Sequence, residues 1–167
     1  MTGVPPVVLD AFLANFSLCD LILRLAEVPR LFEPKWSEEI IVEAVRTLES
    51  KLGWPGSLTA HLQAELHTHF REAWITGYQS LIPLMKNHRK DRHVAAAAVH
   101  GEAPVIVTFN LRHFRPENLE PWNILAVHPR DFLSELFRQE GGASRHETEA
   151  AGRRPRSQFG SASGVRC

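Results

Sequence analysis

The sequence has 167 residues, of which 44% are hydrophobic and 23% charged, a composition ordinary for one globular domain. The formal net charge is zero, which argues against a broad nucleic-acid-binding surface. Cys19 and Cys167 cannot build a disulfide framework, so we expect a reducing compartment. The sequence shows no signal peptide, and no apolar run approaches the roughly 18 residues of a membrane span. We therefore expect a cytoplasmic protein without membrane contact.

The first half of the chain is predicted to hold one strand and three helices. Residues 6–10 (PVVLD) read as a short apolar strand that ends in a carboxylate, and residues 18–27 follow with helical spacing. Ser37 is a plausible N-cap of a second helix, and Gly53 ends it. A turn over 54–57 precedes an amphipathic helix over 58–75, whereas 78–85 fits either a loop or a short strand.

The second half begins with an alanine-rich helix (DRHVAAAAVH) that Asp91 opens and Gly101 caps. Two apolar strands are predicted at 103–110 and 123–127, separated by a Pro-punctuated turn, and a helix at 129–139 starts at a proline. After Glu140 the chain becomes rich in Gly, Ser, Ala and Arg. We therefore predict a folded domain over 1–140 and a disordered tail over 141–167.

Strands that alternate with helices indicate an α/β fold, and right-handed crossovers favour an open, doubly wound, mostly parallel sheet between helices. In such sheets the functional crevice lies at the carboxyl ends of the strands. Asp10, Asn110 and, less clearly, His128 follow the predicted strands directly, so they are the first candidates for a site.

Four polar residues become a candidate site when they are considered together, although each also has a structural interpretation. Asp10 and Asp91 fit helix caps, Glu43 fits a solvated mid-helix acid, and Asn110 fits a turn. Two strand ends and two helices of one sheet can nevertheless bring all four to a single crevice. Carboxylates that approach closely have raised pKa values unless a cation compensates them, and Mg²⁺ is the natural partner of such oxygens.

Four stretches give the chain a recognisable pattern: VVLDAFL with Asp10, PKWSEEIIVEAVRTL with Glu43, DRHVAAAAVHGEAPVIVTFN with Asp91, and NLRHF followed by ILAVHPRDFL. In this order they resemble PIN-domain proteins of the VapC-like kind, the ribonuclease toxins of bacterial type II toxin–antitoxin pairs. The resemblance runs from about Val7 to Leu136. It implies a three-layer α/β/α sandwich with a short, mostly parallel central sheet.

The resemblance also implies an activity, a cofactor and partners. It implies an endoribonuclease that hydrolyses RNA phosphodiester bonds with metal-activated water, using Mg²⁺ or, as a substitute, Mn²⁺. Asp10 and Asp91 would be the principal ligands, Glu43 would complete the set directly or through water, Asn110 would take the fourth polar position, and Thr108 would orient a ligand or a water. Many members have Asp where this chain has Asn110, a departure that removes one charge. Expected partners are RNA, an antitoxin protein and a second copy of the chain.

Basic residues cluster on both sides of the candidate site and predict phosphate contacts at the rim of the crevice, with a solvated charged loop as the alternative. These candidate RNA-binding residues are Lys86, Arg89, Lys90, Arg92, Arg112 and Arg115. Three of the nine histidines, His61, His67 and His69, lie on one predicted helix, but they do not share a face and the chain has no HExxH motif. We therefore do not expect zinc.

Two other functions remain open at this stage. An aspartyl-phosphate enzyme would also carry an Asp after its first strand, but a haloacid-dehalogenase-like site needs a second Asp where this chain has Phe12, and a receiver-type domain needs a Lys at a strand end. A catalytically weak or inactive PIN-like module that binds RNA or protein is the second alternative. Titration with Mg²⁺ or Mn²⁺ distinguishes this module from an active nuclease, because a module that has lost its metal site gains no stability from the metal.

Overall fold

The computed structural model describes residues 4–10, 15–27 and 30–139. In this part of the chain four strands form one fully parallel sheet in the order β2-β1-β3-β4. The strands are β1 (Pro6–Leu9), β2 (Glu33–Lys35), β3 (Val105–Val107) and β4 (Leu125–Val127). The predicted class, an α/β/α sandwich around a short parallel sheet, is confirmed.

Helices occupy most of the remaining described residues. They are α1 (Phe16–Glu27), α2 (Glu38–Leu52), α3 (Gly56–His69), α4 (Arg92–His100) and α5 (Pro116–Leu119), and residues 129–139 are also helical. Short 3₁₀ turns lie at Arg71–Ala73, Gln79–Leu84, Arg89–Asp91, Leu111–His113 and Glu120–Trp122. Both predicted ends of α2 are confirmed: the Ser37 side chain accepts from the Ile40 amide, and Gly53 is left-handed with a φ of 67°.

The register of the central strands decides which residues meet at the carboxyl edge of the sheet. Leu9 of β1 pairs with Val107 of β3, so Asp10 and Thr108, the next residues of the two strands, lie side by side. The Asp10 amide extends the ladder by donating to the Val107 carbonyl at 2.9 Å. In the two central strands, Val7–Leu9 and Ile106–Val107 are buried, as expected for a sheet with helices on its faces, whereas the edge strands β2 and β4 are half-buried or exposed.

The alanine-rich helix α4 lies close to the sheet because its buried side chains are small. Residues 94–98 are fully buried, and α4 contacts β1, β3 and the Gln79–Leu84 turn. Gly101 ends the helix as predicted, but with a φ of −82° it does not use the left-handed conformation. Glycine is favoured at this position because there is little room for a side chain: a Cβ atom would lie 2.7 Å from Ile75 Cδ1. This close packing fixes the N-terminus of α4, where Asp91 lies.

Three details of the predicted elements are wrong. The helix expected over 58–75 ends at His69, because the residues that follow it pair with Trp36. The Trp36 amide donates to the Ala73 carbonyl, and the Trp36 carbonyl accepts from the Ile75 amide. The β2 strand was not predicted, since its sequence EPK has no apolar pattern. Residues 79–84 form a 3₁₀ helix rather than a loop or a strand.

The strands are also shorter than predicted at their ends. β3 covers 105–107 instead of 103–110, because Pro104 has no amide to donate and the chain turns after Thr108, whose hydroxyl accepts from the Asn110 amide. β4 begins at Leu125 rather than at 123, since Asn123 is left-handed with a φ of 56°. The edge of the sheet that carries the candidate residues is unaffected.

The chain divides into two compact units, Met1–Ser134 and Glu135–Cys167. The sheet belongs to the first unit, and of the second unit the structure describes only the helical residues 135–139. The predicted disordered tail, 141–167, lies outside the described residues, and the domain boundary at 140 stays a prediction. Among the described helices, none has both the length and the apolar character that a membrane crossing requires.

Candidate functional site

Asp10 and Thr108 form the centre of the candidate site at the carboxyl edge of the sheet. The Thr108 hydroxyl donates to Asp10 Oδ2 at 2.8 Å, and both residues are buried. The hydrogen bond holds one carboxylate oxygen in a fixed direction, and the role of Thr108 in orienting a ligand or a water stays a prediction. The capping alternative for Asp10 concerns residues 11–14, which lie outside the described residues.

The surroundings of Asp10 raise its pKa from 3.8 to about 6. Burial is the largest cause, and the negative charges of Asp91 and Glu43 add to it. The hydrogen bond from Thr108 and the electrostatic influence of His93 act in the opposite direction and lower this pKa. Asp91 and Glu43 therefore act electrostatically on Asp10, although Asp10 and Glu43 lie 33 positions apart in the sequence and Glu43 and Asp91 lie 48 positions apart.

Asp91 is buried at the start of α4, directly after the Arg89–Asp91 turn. It occupies the N-cap position, but its side chain makes no capping hydrogen bond. Its Oδ2 instead lies 2.5 Å from His113 Nδ1, and Asn87 Nδ2 donates to its main-chain carbonyl at 3.0 Å. The carboxylate is therefore directed into the crevice by His113 rather than towards the amides of its own helix.

Glu43 reaches the same crevice from α2. Its carboxylate, that of Asp91 and the imidazole of His93 place their ligating atoms within 4.8 Å of one another. His93 Nε2 lies 3.6 Å from Glu43 Oε2, and Nδ1 lies 3.7 Å from Glu39 Oε2. Both imidazole nitrogens are buried without a hydrogen-bond partner among the described residues. Such orphaned polar atoms are unfavourable unless a further group approaches them.

Asn110 lies at the edge of this arrangement rather than at its centre. Its side chain is exposed, and Nδ2 lies 3.3 Å from His113 Nδ1. It therefore contacts the residue that holds Asp91 and is not a member of the group formed by Glu43, Asp91 and His93. Among the described contacts, Asn110 is linked to Asp91 through its side chain and His113, and to Asp10 through its amide and the Thr108 hydroxyl.

The predicted basic residues fall into two sets. Lys86, Arg112 and Arg115 line a cavity of about 360 Å³ together with the imidazoles of His88 and His113. Arg89 and Lys90 are exposed on the turn before Asp91, whereas Arg92 is half-buried and donates to the Asn87 carbonyl at 3.2 Å. The first set lies beside Asp91, where it can contact phosphates that flank the acids.

Three residues that border these acids, His93, His113 and Glu39, are not among the candidates selected from the sequence. In the structure Glu39 Oε2 also accepts from the Tyr78 hydroxyl at 2.7 Å. The short separation of Asp91 and His93 at the start of one helix was the one signal in the sequence, because neighbouring residues there can share a crevice.

The arrangement presents a divalent cation with a chemically suitable set of donors. Glu43 and Asp91 supply hard oxygen ligands from one group. Asp10, whose pKa is raised first by burial and then by the charges of these two acids, offers a further carboxylate nearby. The orphaned nitrogens of His93 lie beside the same acids. The residues present therefore fit a divalent metal.

Comparison with known proteins gives one informative match. The chain is 50% identical over 88 residues to the protein named "Putative ribonuclease VapC50" from Mycobacterium tuberculosis. The match covers 53% of this chain and 50% of the relative, so the chain spans about half the length of the relative it matches. No protein-family model matches the chain, and no solved structure does. The resemblance to VapC-like proteins that the sequence indicates is confirmed by this similarity.

Proposed function

We propose that the chain is a divalent-metal-dependent endoribonuclease that hydrolyses RNA phosphodiester bonds. The observation that carries the proposal is that three acids remote in the chain come near one another: Glu43 of α2 and Asp91 at the start of α4 share one group of potential ligands, and the charges of both act on Asp10 at the end of β1. The name of the relative, a ribonuclease, supports the same activity. Mg²⁺ is the cofactor we infer from the carboxylate ligands, with Mn²⁺ as a substitute that tolerates the imidazole of His93.

Asp10 and Asp91 are the proposed principal metal ligands, and Glu43 completes the set. When bound, a divalent ion in such a site lowers the pKa of a water and neutralises charge on the leaving oxygen. The chain itself orients the ligands: the Thr108 hydroxyl fixes one oxygen of Asp10, and His113 fixes one oxygen of Asp91. Precise orientation of ligands by such outer contacts sustains metal affinity.

The basic cavity beside Asp91 is the proposed contact for the RNA backbone. Lys86, Arg112 and Arg115 can hold phosphates without reading the base sequence. Arg89 and Lys90 extend this surface on the exposed turn. Arg92 has a smaller part in the proposal, because its guanidinium already holds the Asn87 carbonyl.

The partners follow from the similarity to VapC-like proteins. We propose that the chain is the toxin of a type II toxin–antitoxin pair, with an antitoxin protein as its partner, and that it can form a homodimer. A cytoplasmic location would suit an RNA substrate. Co-expression with the product of the adjacent reading frame, followed by co-purification, tests the partnership.

The activity is tested by incubating the purified chain with total RNA, with Mg²⁺ and with EDTA. We expect cleavage that requires the metal and disappears in Asp10→Asn and in Asp91→Asn. Asp20→Asn is the matched control, since Asp20 is an exposed acid of α1 that pairs with Arg24. Full activity in either site variant would refute the assignment.

A second comparison tests the position of the third acid. Glu43→Gln should reduce cleavage more than Glu38→Gln, because only Glu43 shares the group with Asp91 and His93. Equal effects would mean that Glu43 does not hold the metal. If the chain binds RNA and metal leaves its melting temperature unchanged, the non-catalytic binding module is the better description.

A further inference from the structure

A second group of potential metal ligands also includes Asp91. His88, Asp91 and His113 each offer one ligating atom, and these atoms lie within 4.8 Å of one another. Two of the three are imidazoles, whereas the group formed by Glu43, Asp91 and His93 has two carboxylates. The two groups share Asp91 and differ in chemical character.

The fold holds the two imidazoles together through the main chain. The His88 amide donates to the His113 carbonyl at 3.1 Å, which fixes the two short turns against each other. The imidazole rings then stack with centroids 4.0 Å apart and an interplanar angle of 12°. His113 Nδ1 lies 2.5 Å from Asp91 Oδ2, so one imidazole and the carboxylate are already in contact.

The remaining ligand is free to adjust. His88 is exposed, and its Nδ1 accepts only a long hydrogen bond of 3.4 Å from the Lys90 amide. One of its ring nitrogens already lies within 4.8 Å of the ligating atoms of Asp91 and His113. Its exposure also gives a metal ion direct access from solvent.

Two imidazoles and one carboxylate favour a late transition metal over magnesium. Imidazole nitrogen suits Zn²⁺, Co²⁺, Ni²⁺ and Cu²⁺, whereas Mg²⁺ prefers oxygen ligands. Three protein ligands with a fourth position left to water are a common arrangement for zinc. We propose that His88, Asp91 and His113 form a binding site for Zn²⁺ or a similar late transition metal, distinct from the carboxylate-rich group around Glu43.

The shared ligand gives this site a consequence for the proposed activity. A zinc ion that holds Asp91 takes one carboxylate from the magnesium ligands, so zinc should inhibit metal-dependent RNA cleavage. This consequence rests on the proposed function, whereas the binding of zinc does not. The two can therefore be tested separately.

Binding is tested with Co²⁺ as a spectroscopic substitute for Zn²⁺, using the untagged full-length chain in a Cys167→Ser background. We expect visible d–d absorption on addition of Co²⁺ and its loss when Zn²⁺ is added. The bands should disappear in a variant that combines His88→Gln with His113→Gln. Its affinity for Zn²⁺ should fall by more than roughly 100-fold, because even the loss of an outer partner of a ligand costs about 10- to 100-fold.

Three further variants keep the interpretation specific. His61→Gln alters an exposed histidine of α3 and should leave the bands unchanged. His88→Gln alone should weaken binding without affecting the fold, because this side chain is exposed, and circular dichroism checks that point. If His93→Gln abolishes the bands and the double variant keeps them, the ion binds at the Glu43 group and the proposal is overturned.

The activity readout separates this proposal from the proposed function. Zinc inhibition of Mg²⁺-dependent cleavage should be weaker in His88→Gln than in the unaltered chain. Absence of ribonuclease activity together with histidine-dependent Co²⁺ bands would refute the proposed function and support the zinc site. Absence of Co²⁺ or Zn²⁺ binding would overturn the zinc site whatever the activity.

Discussion

The raised pKa of Asp10 makes the stability of the metal-free protein depend on one buried charge. A rise from 3.8 to about 6 corresponds to roughly 3 kcal/mol, at about 1.4 kcal/mol for each pH unit. Below pH 3.8 the carboxyl group is neutral in both the folded and the unfolded chain. As the pH rises from there through 6, the unfolded chain releases its proton first, so folding becomes less favourable by up to this amount.

Asp10→Asn should therefore stabilise the protein in metal-free buffer near neutral pH. The amide keeps an oxygen that can accept from Thr108, but its NH₂ group needs a new partner, which offsets part of the gain. We expect an increase of about 1–3 kcal/mol in the free energy of unfolding, or several degrees in the melting temperature. The increase should fall to roughly 0.5 kcal/mol near pH 4, where Asp10 is protonated in the folded chain and about half protonated in the unfolded chain.

The assay is thermal and urea unfolding in EDTA at pH 7.5 and near pH 4, followed by circular dichroism. Asp20→Asn is the control and should change stability by no more than about 0.5 kcal/mol, since Asp20 is exposed. Added Mg²⁺ should stabilise the unaltered protein more than Asp10→Asn, because a ligand that binds only the folded state raises its stability. A destabilised Asp10→Asn at pH 7.5, or a difference independent of pH, would refute the reasoning.

Three further predictions concern Gly101, the basic cavity and Cys19. Gly101→Ala should destabilise the fold by about 1–3 kcal/mol in urea unfolding, because the new methyl group would meet Ile75; an unchanged midpoint would show that Ile75 moves aside freely. In the double variant Lys86→Ala/Arg112→Ala, the slope of log K for RNA binding against log salt concentration, measured by fluorescence anisotropy, should decrease in magnitude by about two. An unchanged slope would mean that these two residues do not contact phosphates. Burial raises the pKa of the Cys19 thiol to about 12, so iodoacetamide at pH 8 should leave Cys19 unmodified until denaturant is added; alkylation of the folded protein would contradict its burial.

The sequence predicted the fold class because the strand and helix patterns near the centre of the domain are local. β1, β3 and α4 are read directly from apolar runs and an alanine-rich stretch, and their burial in the structure follows from that composition. β2 could not be predicted in this way. It has three residues, two of them charged, and it exists because β1 offers an unpaired edge.

The end of α3 shows where a helical pattern fails. The sequence keeps helical spacing as far as residue 75, but the main chain of Trp36 offers two hydrogen bonds to Ala73 and Ile75. These bonds connect residues about 37 positions apart, so no window along the sequence can detect them. Tertiary pairing outweighs the local helical preference there.

The acids of the candidate site could be selected from the sequence, but its histidines could not. Asp10 could be selected because it follows a buried strand, and topology alone brings the ends of parallel strands to one edge. His113 could not be selected in this way. It lies on a 3₁₀ turn whose position depends on how the chain folds back after β3. Its contact with Asp91 joins residues 22 positions apart through irregular backbone. Periodicity carries no information about such segments, so histidine ligands on turns have to be found from the structure.

The contact with His113 also explains how Asp91 can be buried at a helix start without capping the helix. A buried carboxylate without partners would be costly, and the amides of α4 do not receive its side chain. His113 supplies the direct contact, and Glu43 and His93 place their ligating atoms within 4.8 Å of that of Asp91. Asp91 is consequently the residue on which both proposed metal groups depend. Replacing it should weaken Mg²⁺ and Zn²⁺ binding together, whereas Glu43→Gln and His88→Gln should each affect mainly one of the two ions.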